Sequence, residues 1–295
     1  MKKVLITGAS GFLGWSLCRK AMKRWEVIGL CHTHPVKIPG IQVLKTDLTR
    51  FQDVKKMFHE VRPDAVFYAA AASQPNYCEL HPEESRAVNV RAPSQWAGLS
   101  SDLSIPFVFI STDLVFDGMT PPYSETSHVN PVNRYGEHKA EAEEKIRLNY
   151  PESMICRLPL LYGYSGNAGQ NFGVEMVRSL IQDKKLSLFY DEIRTPVDSE
   201  SAAEGILLSF DHKETLIHLG GHQSVSRYDM GVALQQILKV SPSLLDPISQ
   251  KQMPMNALRP LDVSLESSKA FALGYKPLSI REGFRRMIDR MDYHL

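Results

Sequence analysis

The sequence predicts an α/β fold of Rossmann type: a doubly wound parallel sheet with a smaller, partly interleaved C-terminal domain. Short apolar runs alternate with longer amphipathic segments through the first half of the chain, and these runs are apolar at consecutive positions. Consecutive apolar positions are typical of strands covered on both faces. Strand–helix alternation is typical of a parallel sheet between two helical layers. A glycine-rich turn also joins the first predicted strand to the first predicted helix.

The elements of the first half follow one another in the order that such a sheet requires. The predicted strands cover residues 4–7, 27–30, 42–45, 65–68, 107–110 and 154–156. Apolar residues that recur every three to four positions predict the helices, over residues 12–25, 49–61, 82–99 and 135–148. Pro93 lies inside the third helix, where a proline is expected to cause a kink or a break.

The second half is less regular, with frequent proline and glycine between short elements. Helices are predicted over residues 172–181, 201–210, 228–238 and 280–291, and a strand over 216–219. We predict a nucleotide-binding domain over residues 1–160 and a smaller substrate-binding region over 161–295. Some segments of the second region are expected to return to the sheet of the first.

Composition excludes several classes of protein. The chain has 295 residues, a net charge of +1, 43% hydrophobic residues and 23% charged residues, values that argue against disorder or a coiled coil. Near-neutral charge favours neither nucleic acid nor an anionic membrane as partner. The apolar run over residues 65–72 is far shorter than the ~20 residues of a membrane span. Four scattered cysteines, without a Cys/His cluster, indicate a reducing compartment and no metal site. We therefore expect a soluble cytoplasmic protein.

The turn between the first strand and the first helix predicts a dinucleotide site. It reads TGASGFLG from Thr7 to Gly14, and glycines allow close approach of backbone to a pyrophosphate. The helix that follows directs free N–H groups and a positive dipole end at that anion. The predicted cofactor contacts in this turn are Gly8, Ser10, Gly11, Phe12, Leu13 and Gly14.

The residues after the second strand bear on the choice of dinucleotide. An acidic residue there would bind the ribose 2′-hydroxyl and favour NAD. The sequence has Leu-Cys-His-Thr-His over residues 30–34, with no acid. His32, His34 or Lys37 could meet a 2′-phosphate, so we predict NADPH as the cofactor, with His32 as a contact and NADH left open.

A tyrosine and a lysine on one helix face predict carbonyl/alcohol chemistry. Tyr135 and Lys139 are four residues apart, so they share a face of the predicted helix. A phenol has a pKa near 10, and a nearby ammonium would make it a usable proton donor. Thr112 follows the strand over 107–110 at the edge where ligands bind, although a hydroxyl there also caps turns. Thr112, Tyr135 and Lys139 are the predicted catalytic residues.

Together with Asn89, these motifs resemble the extended short-chain dehydrogenase/reductase superfamily. Residues 111–118 (STDLVFDG) are more specific, because they resemble the S-T-D-Y-V-F-D-G segment of dTDP-4-dehydrorhamnose reductases. Residues 157–163 (RLPLLYG) parallel R-T-S-W-V-Y-G. Asn171-Phe172 and Arg259-Pro260 parallel two later segments of that subfamily. The resemblance spans nearly the whole chain.

The resemblance implies NAD(P) in the N-terminal domain and a nucleotide-sugar in the cleft. In this interpretation Tyr135 is the general acid, Lys139 lowers the pKa of the phenol and holds the nicotinamide ribose, and Thr112 orients the carbonyl. Further cofactor contacts are implied at Asp47, Leu48, Ala69, Ala70 and Ala71. The predicted substrate contacts are Asp113, Asn171, Arg194 and Arg259. A surface or interdomain salt bridge is the alternative for either arginine.

The sequence also departs from that subfamily. Leu114 replaces a tyrosine, Leu160 lies where tryptophan is frequent, and residues 73–80 differ from the usual substrate loop. Residues 191–196 (DEIRTP) replace a D-Q-x-G-x-P stretch. These positions lie near the predicted sugar, so the substrate is left open.

Three hypotheses follow. The first is an NADPH-dependent reductase of a 4-keto nucleotide-sugar. The second is an epimerase on the same fold, whereas a dehydratase is disfavoured because Leu114 stands where a second carboxylate would be needed. The third is a non-catalytic, NADP-binding regulatory subunit like that of methionine adenosyltransferase. A homodimer is compatible with each of these hypotheses, and the sequence indicates no dimer interface.

Overall fold

The computed structural model describes residues 1–166, 168 and 171–292. The strands are β1 (Lys3–Thr7), β2 (Glu26–Cys31), β3 (Gln42–Lys45), β4 (Ala65–Tyr68), β5 (Phe107–Thr112), β6 (Met154–Leu158), β7 (Leu161–Tyr162), β8 (Leu186–Phe189), β9 (Ile193–Arg194), β10 (Val197–Asp198), β11 (Leu216–His218), β12 (Val225–Ser226) and β13 (Leu245–Ile248). The helices are α1 (Phe12–Ala21), α2 (Phe51–Val61), α3 (Pro75–Leu80), α4 (Pro82–Arg86), α5 (Ala92–Asp102), α6 (Arg134–Asn149), α7 (Phe172–Ile181), α8 (Ser199–Asp211), α9 (Arg227–Leu238), α10 (Ser268–Ala272) and α11 (Ile280–Asp292).

A seven-stranded sheet in the order β11-β6-β5-β4-β1-β2-β3 forms the centre of the molecule. All its strand pairs are parallel, which confirms the predicted doubly wound fold. The order reverses between β1 and β4, and a crevice forms at the carboxyl ends of the strands at such a switch point. The fold therefore places the ends of β1, β4 and β5 around one opening.

Both faces of the sheet are covered, as the consecutive apolar positions predicted. In β1, Val4 and Ile6 belong to one core cluster and Leu5 to another on the opposite face. Helices α1 and α8 cover the first face, since Leu17 and Ile206 lie in its cluster, whereas Trp96 of α5 lies in the second.

The second half builds its own core and also returns to the sheet. Met176, Leu234 and Phe284, from α7, α9 and α11, share a third cluster. Strand β11 nevertheless pairs with β6 at the edge of the central sheet. Helix α8 packs against α1, where the buried Ser16 and Ser199 hydroxyls are 2.9 Å apart. The chain after residue 160 therefore contributes to both cores.

The irregularity predicted at Pro93 is a π-helical turn and not a break. Residues 82–102 run through α4, a π-helical segment (Ala87–Arg91) and α5. The Ala92 N–H bonds the Ala87 carbonyl, five residues back, so the wider turn ends just before the proline that lacks an N–H. π-turns recur at functional sites, and Asn89 within this one faces the loop after β4. Its side chain accepts from the Ala72 N–H at 2.8 Å and donates to the Ala72 carbonyl at 3.0 Å.

Among the described residues, no helix combines the length and the apolar character needed to cross a membrane.

Candidate active site

A cavity of about 900 Å³ opens at the carboxyl edge of the sheet. It extends from the glycine turn, past the ends of β2, β4 and β5, to Tyr135. The predicted site residues that line it are Gly8, Ser10, Gly11, Phe12, Leu13, Gly14, His32, Asp47, Leu48, Ala69, Ala70, Ala71, Thr112, Asp113, Tyr135 and Arg194. Lys139, Asn171 and Arg259 are not among its lining residues. One continuous cavity thus joins the predicted cofactor turn to two of the three predicted catalytic residues.

The glycine turn has the geometry that an anion cradle requires. Gly8 has φ of +70°, and a Cβ on Gly14 would lie 2.0 Å from the Gly8 carbonyl oxygen. No side chain caps the N-terminus of α1, and its first turn contains no acid. The positive end of the helix therefore faces the cavity. The Thr7 hydroxyl accepts from the N–H groups of Ala69 and Ala70, each at 3.0 Å, which holds the turn against the loop after β4. These features fit a dinucleotide pyrophosphate.

Polar groups line the part of the cavity near the end of β2. His32 and Thr33 follow β2, and both line the cavity. Asp47 accepts from the Thr49 N–H at 3.0 Å and from its hydroxyl at 2.7 Å. The bond from the Thr49 hydroxyl is the main cause that lowers the pKa of Asp47, and the nearby His32 and Arg50 lower it further. Asp47 is thus an ionised group beside His32.

Tyr135 and Thr112 meet because α6 approaches the end of β5 closely. A Cβ on Gly136 would lie 2.1 Å from the Leu114 carbonyl oxygen, so only glycine permits this packing. Asn133 caps α6 by accepting from the Gly136 N–H at 2.9 Å. Burial raises the pKa of Tyr135, with the nearby Asp113 as a further cause, whereas the Thr112 hydroxyl and the Arg194 guanidinium lower it.

Lys139 lies behind the cavity wall. Its side chain is buried, its Nζ donates to the Ile110 carbonyl at 2.5 Å, and it lies 3.8 Å from the centroid of the Phe109 ring. Burial lowers the pKa of Lys139 to about 7, and Glu143, one turn further along α6, raises it. The lysine therefore loses its proton more readily than an exposed lysine does.

A buried polar network lies beneath these residues. Glu143 accepts from Arg157 Nε at 3.0 Å and from Nη2 at 2.6 Å, and also from the Ser111 hydroxyl. Arg157 Nη1 lies 3.3 Å from His218 Nε2. Burial, with Arg157 as a further cause, lowers the pKa of His218 to about 3, so the ring is neutral. The network connects the residue before Thr112 to the helix that carries Lys139.

An ion network joins Asp113, the residue after Thr112, to the second half of the chain. Arg194 Nη1 contacts both Asp113 oxygens, at 2.8 and 2.9 Å, and Nη2 donates to Glu192 at 3.1 Å. Arg227 Nε donates to the second Glu192 oxygen at 2.9 Å. Asp113, Glu192 and Arg194 are all buried. The salt bridge considered for Arg194 is therefore present, on the wall of the cavity.

Asn171 and Arg259 have structural partners away from the cavity lining. Asn171 caps α7 by accepting from the Gly173 N–H at 2.9 Å and donates to the Gly163 carbonyl. Arg259 Nη2 lies 3.4 Å from Asn76 Oδ1, and its buried Nη1 has no partner among the described residues. The substrate role of both residues stays a prediction.

The structure also adds residues that the sequence patterns did not single out. Cys31, Thr33, Thr46, Thr49, Ser73, Tyr77, Glu84 and Leu158 line the cavity. Leu158 ends β6, so the rule that ligands bind at strand carboxyl ends could have indicated it. Tyr77 belongs to the segment 73–80 that departs from the subfamily, and Glu84 belongs to the helix predicted over residues 82–99, but the patterns gave no reason to select either side chain. Within residues 1–166, 168 and 171–292, no group of three or more His, Cys, Asp or Glu could hold a metal ion.

Comparison with known proteins agrees with this geometry. The sequence model of the RmlD substrate binding domain family matches residues 1–293. The chain belongs to this family. It is 28% identical to methionine adenosyltransferase 2 subunit beta of Bos taurus, over 92% of the chain and 83% of that protein. A solved structure of a hypothetical dTDP-4-dehydrorhamnose reductase from Sulfolobus tokodaii has a TM-score of 0.83 and 28% identity, over 95% of this chain and 98% of that one.

A second solved structure agrees in fold. It is a dTDP-4-dehydrorhamnose reductase from Bacillus anthracis in complex with NADP, with a TM-score of 0.86 and 23% identity over 98% of this chain and 100% of that one. The family match over residues 1–293 confirms, at the level of the family, the resemblance drawn from the glycine turn, the STD segment and the tyrosine helix.

The close backbone contact at Gly14 predicts the effect of a side chain there on both cofactor binding and stability. Because a Cβ on Gly14 would overlap the Gly8 carbonyl, we expect Gly14→Ala to weaken NADPH binding about a hundredfold through displacement of the turn. The free energy of unfolding should fall by about 1–3 kcal/mol. Fluorescence titration and chemical denaturation measure the two effects. Gly98→Ala, in α5 with open space around its Cβ, is the control and should stabilise by up to about 1 kcal/mol. Equal NADPH affinity in both variants would contradict the cradle.

Burial of Lys139 predicts a pH-dependent stability. Between about 7, its pKa in the folded protein, and its ordinary value of 10.5, the unfolded chain binds the proton and the folded chain does not. Stability should therefore rise with pH across this window, by at most ~1.4 kcal/mol per pH unit. Lys139→Met should remove this rise, as measured by denaturation at several pH values. Lys145→Met, at a half-buried position of α6, is the control, and an unchanged slope in Lys139→Met would refute the assignment.

Proposed function

We propose that the protein is an NADPH-dependent reductase of a 4-keto nucleotide-sugar. The observation that carries the proposal is the continuity of one cavity from the glycine cradle to Thr112 and Tyr135, which both line it. A cofactor with its pyrophosphate on α1 would extend its nicotinamide toward this pair, and a sugar carbonyl beside Tyr135 would complete the site. The name of the Sulfolobus tokodaii neighbour supports this reaction class.

The side chains divide the reaction between them. When bound, the nicotinamide supplies the hydride that reduces the carbonyl carbon. Tyr135 gives its proton to the carbonyl oxygen, which becomes an alcohol, and the phenolate is then reprotonated from solvent. Tyr135 and Thr112 are 8% and 7% exposed, so little water competes for the forming bond. Lys139 is four residues further along α6, and its charge would stabilise the phenolate.

The structure disfavours elimination on the same site. Water loss needs a carboxyl group that can give and take protons, and Asp113 is the acid next to Thr112. Both its oxygens are engaged by Arg194, and Leu114 occupies the following position. Epimerisation would need only the hydroxyl, tyrosine and lysine, and a substrate panel that includes 4-hydroxy sugars separates it from reduction.

A non-catalytic regulatory subunit is the second candidate. It is favoured by the identity of 28% to methionine adenosyltransferase 2 subunit beta over 92% of the chain. Such a subunit would bind the dinucleotide at equal stoichiometry without consuming it. The two candidates differ in turnover and not in cofactor binding.

A tyrosine variant tests the reductase. We expect the purified protein to oxidise NADPH with at least one 4-keto nucleotide-sugar, followed by loss of nicotinamide absorbance. Tyr135→Phe should lower kcat about 10²–10⁴-fold, the contribution of a positioned general acid. Tyr190→Phe is the matched control, because Tyr190 is 53% exposed. No turnover with any keto sugar, or an unaffected Tyr135→Phe, would refute the mechanism.

The choice of cofactor is tested at the end of β2. NADPH should bind more tightly than NADH, because His32 lines the cavity and no residue at positions 30–34 is acidic. His32→Asp supplies the acid that a ribose 2′-hydroxyl prefers and repels a 2′-phosphate. We expect it to weaken NADPH binding about tenfold or more, since ~1.4 kcal/mol corresponds to tenfold. His34→Asp makes the same charge change outside the cavity lining, and it should alter the ratio of NADPH affinity to NADH affinity less. Preference of the parent for NADH would overturn this assignment.

A further inference from the structure

Tyr77 of α3 and Glu84 of α4 line the cavity, and the proposed reduction gives neither of them a role. Tyr77 belongs to the segment 73–80, which departs from the usual substrate loop of the subfamily. Cys78, the next residue, shares an apolar cluster with Leu114 and Tyr135. Tyr77 therefore lies on the part of the wall that also carries the phenol of Tyr135.

Two further contacts place α3 and α4 beside α6. Glu79 accepts from the Arg134 N–H at 2.7 Å, where α6 begins. The Ser85 hydroxyl of α4 lies 3.4 Å from His138 Nδ1. Since α6 carries Tyr135, a sugar with its carbonyl at that phenol would present other ring substituents to this wall.

The Glu84 carboxylate is held in position by its neighbours. The Tyr77 hydroxyl donates to Glu84 Oε2 at 2.8 Å, and the Tyr77 ring stacks on His81 with the ring centroids 4.6 Å apart. His81 Nδ1 is 3.9 Å from the same oxygen, which is beyond hydrogen-bond distance. The bond to Glu84 is the main cause that raises the pKa of Tyr77. The phenol thus keeps its proton, and the carboxylate remains the acceptor.

The charge of Glu84 is not matched by a lysine or an arginine. The other acids of the lining each have such a partner. Asp47 lies 3.6 Å from Arg50 Nε, and Asp113 lies 2.8 Å from Arg194 Nη1. Among the residues that the structure describes, no lysine or arginine forms an ion pair with Glu84, and its side chain is 71% exposed. A dinucleotide and a nucleotide-sugar are both anionic, so this carboxylate opposes their binding unless the sugar brings a positive charge.

We propose that Glu84, positioned by Tyr77, is a specificity subsite for a sugar substituent that carries an ammonium group. The inference rests on the proposed function, because it assumes that the cavity binds a nucleotide-sugar. An ammonium has three donors, and its bond to a carboxylate is stronger than that of a neutral hydroxyl because both partners are charged. The Tyr77 bond goes to Oε2, which leaves Oε1 to face the ligand. A carboxylate on the sugar would be repelled at the same place.

Calorimetric titration of the NADPH-loaded protein tests this with sugars that cannot be reduced. The probes are UDP- and dTDP-hexoses that differ at one carbon (C2, C3 or C6) in a free amine, a hydroxyl or an N-acetylated amine. The buffer is slightly acidic, so that the free amine is charged. At one of these carbons we expect the amine to bind about fivefold more tightly than the hydroxyl, the gain of an exposed ion pair. The N-acetylated form carries no charge and should lose this gain.

Variants of Glu84 assign the preference to its charge. Glu84→Gln keeps the shape of the side chain and should remove the preference for the amine, and Glu84→Lys should make the amine bind more weakly than the hydroxyl. Glu83→Gln is the matched control and should retain the preference, because Glu83 lies outside the lining, is 83% exposed in its side chain and pairs with Arg91. Equal affinity for amine and hydroxyl at every carbon, or a preference that survives in Glu84→Gln, overturns the proposal.

Turnover of keto sugars separates this subsite from the proposed reaction. An amine preference that depends on Glu84, in a protein that reduces no keto sugar, would support the subsite and refute the reductase. Turnover without an amine preference would support the reductase and overturn the subsite. A protein that binds none of the nucleotide-sugars would overturn both.

Discussion

Two contacts between backbones, each possible only without a Cβ, set both ends of the cavity. At one end the start of α1 lies against the turn after β1, where a side chain on Gly14 would overlap the Gly8 carbonyl. At the other end α6 lies against the residues after β5, where a side chain on Gly136 would overlap the Leu114 carbonyl. The first contact leaves a helix N-terminus facing the cavity, and the second brings Tyr135 to Thr112. Since β1 and β5 belong to one rigid sheet, the distance between cradle and phenol follows from strand pairing.

The charges of the site are arranged locally and are invisible in the net charge of +1. The glycine cradle uses backbone N–H groups and a helix dipole, which add nothing to formal charge. The charges of Asp113, Arg194, Glu192 and Arg227 sum to zero, so this ion network is also absent from the net value. Burial of Lys139 lowers its pKa toward neutrality, so even its contribution to charge depends on pH. Composition can exclude a polyanionic partner, but it cannot describe such a site.

The parts of the fold that the sequence predicted correctly are those with local signals. Strands β1, β4 and β5 are short apolar runs, and α7 begins and ends where its periodicity predicts. The glycine turn and the tyrosine helix are likewise contained within single segments, so their residues converge once the sheet is parallel. β13 gave no signal because Pro247 lies within it, and proline is confined to edge pairs such as that of β13 with β8. At Pro93 the local rule was right about the irregularity, and only tertiary packing could select a π-turn.

The contacts that could not be predicted join distant segments through side chains. The Arg194–Asp113 pair spans 81 positions, and nothing near either residue specifies the other. Both are predicted from the sequence as substrate contacts. The structure gives them to each other while leaving them on the cavity wall, so such a residue can shape the site without binding the ligand. Asn171 illustrates the same limit, because an asparagine before a helix is equally suited to a ligand and to the cap that it forms here.

Binding and catalysis make different demands on this architecture. Dinucleotide binding needs the cradle, the end of β2 and the loop after β4, all of which depend on backbone geometry. Proton transfer needs a phenol whose pKa is lowered, and burial acts in the opposite direction on Tyr135. Catalysis therefore depends on whether Thr112, Lys139 and the charges behind them offset that burial when a sugar is present. Cofactor binding therefore depends on backbone turns, and the proposed proton transfer depends on buried side chains.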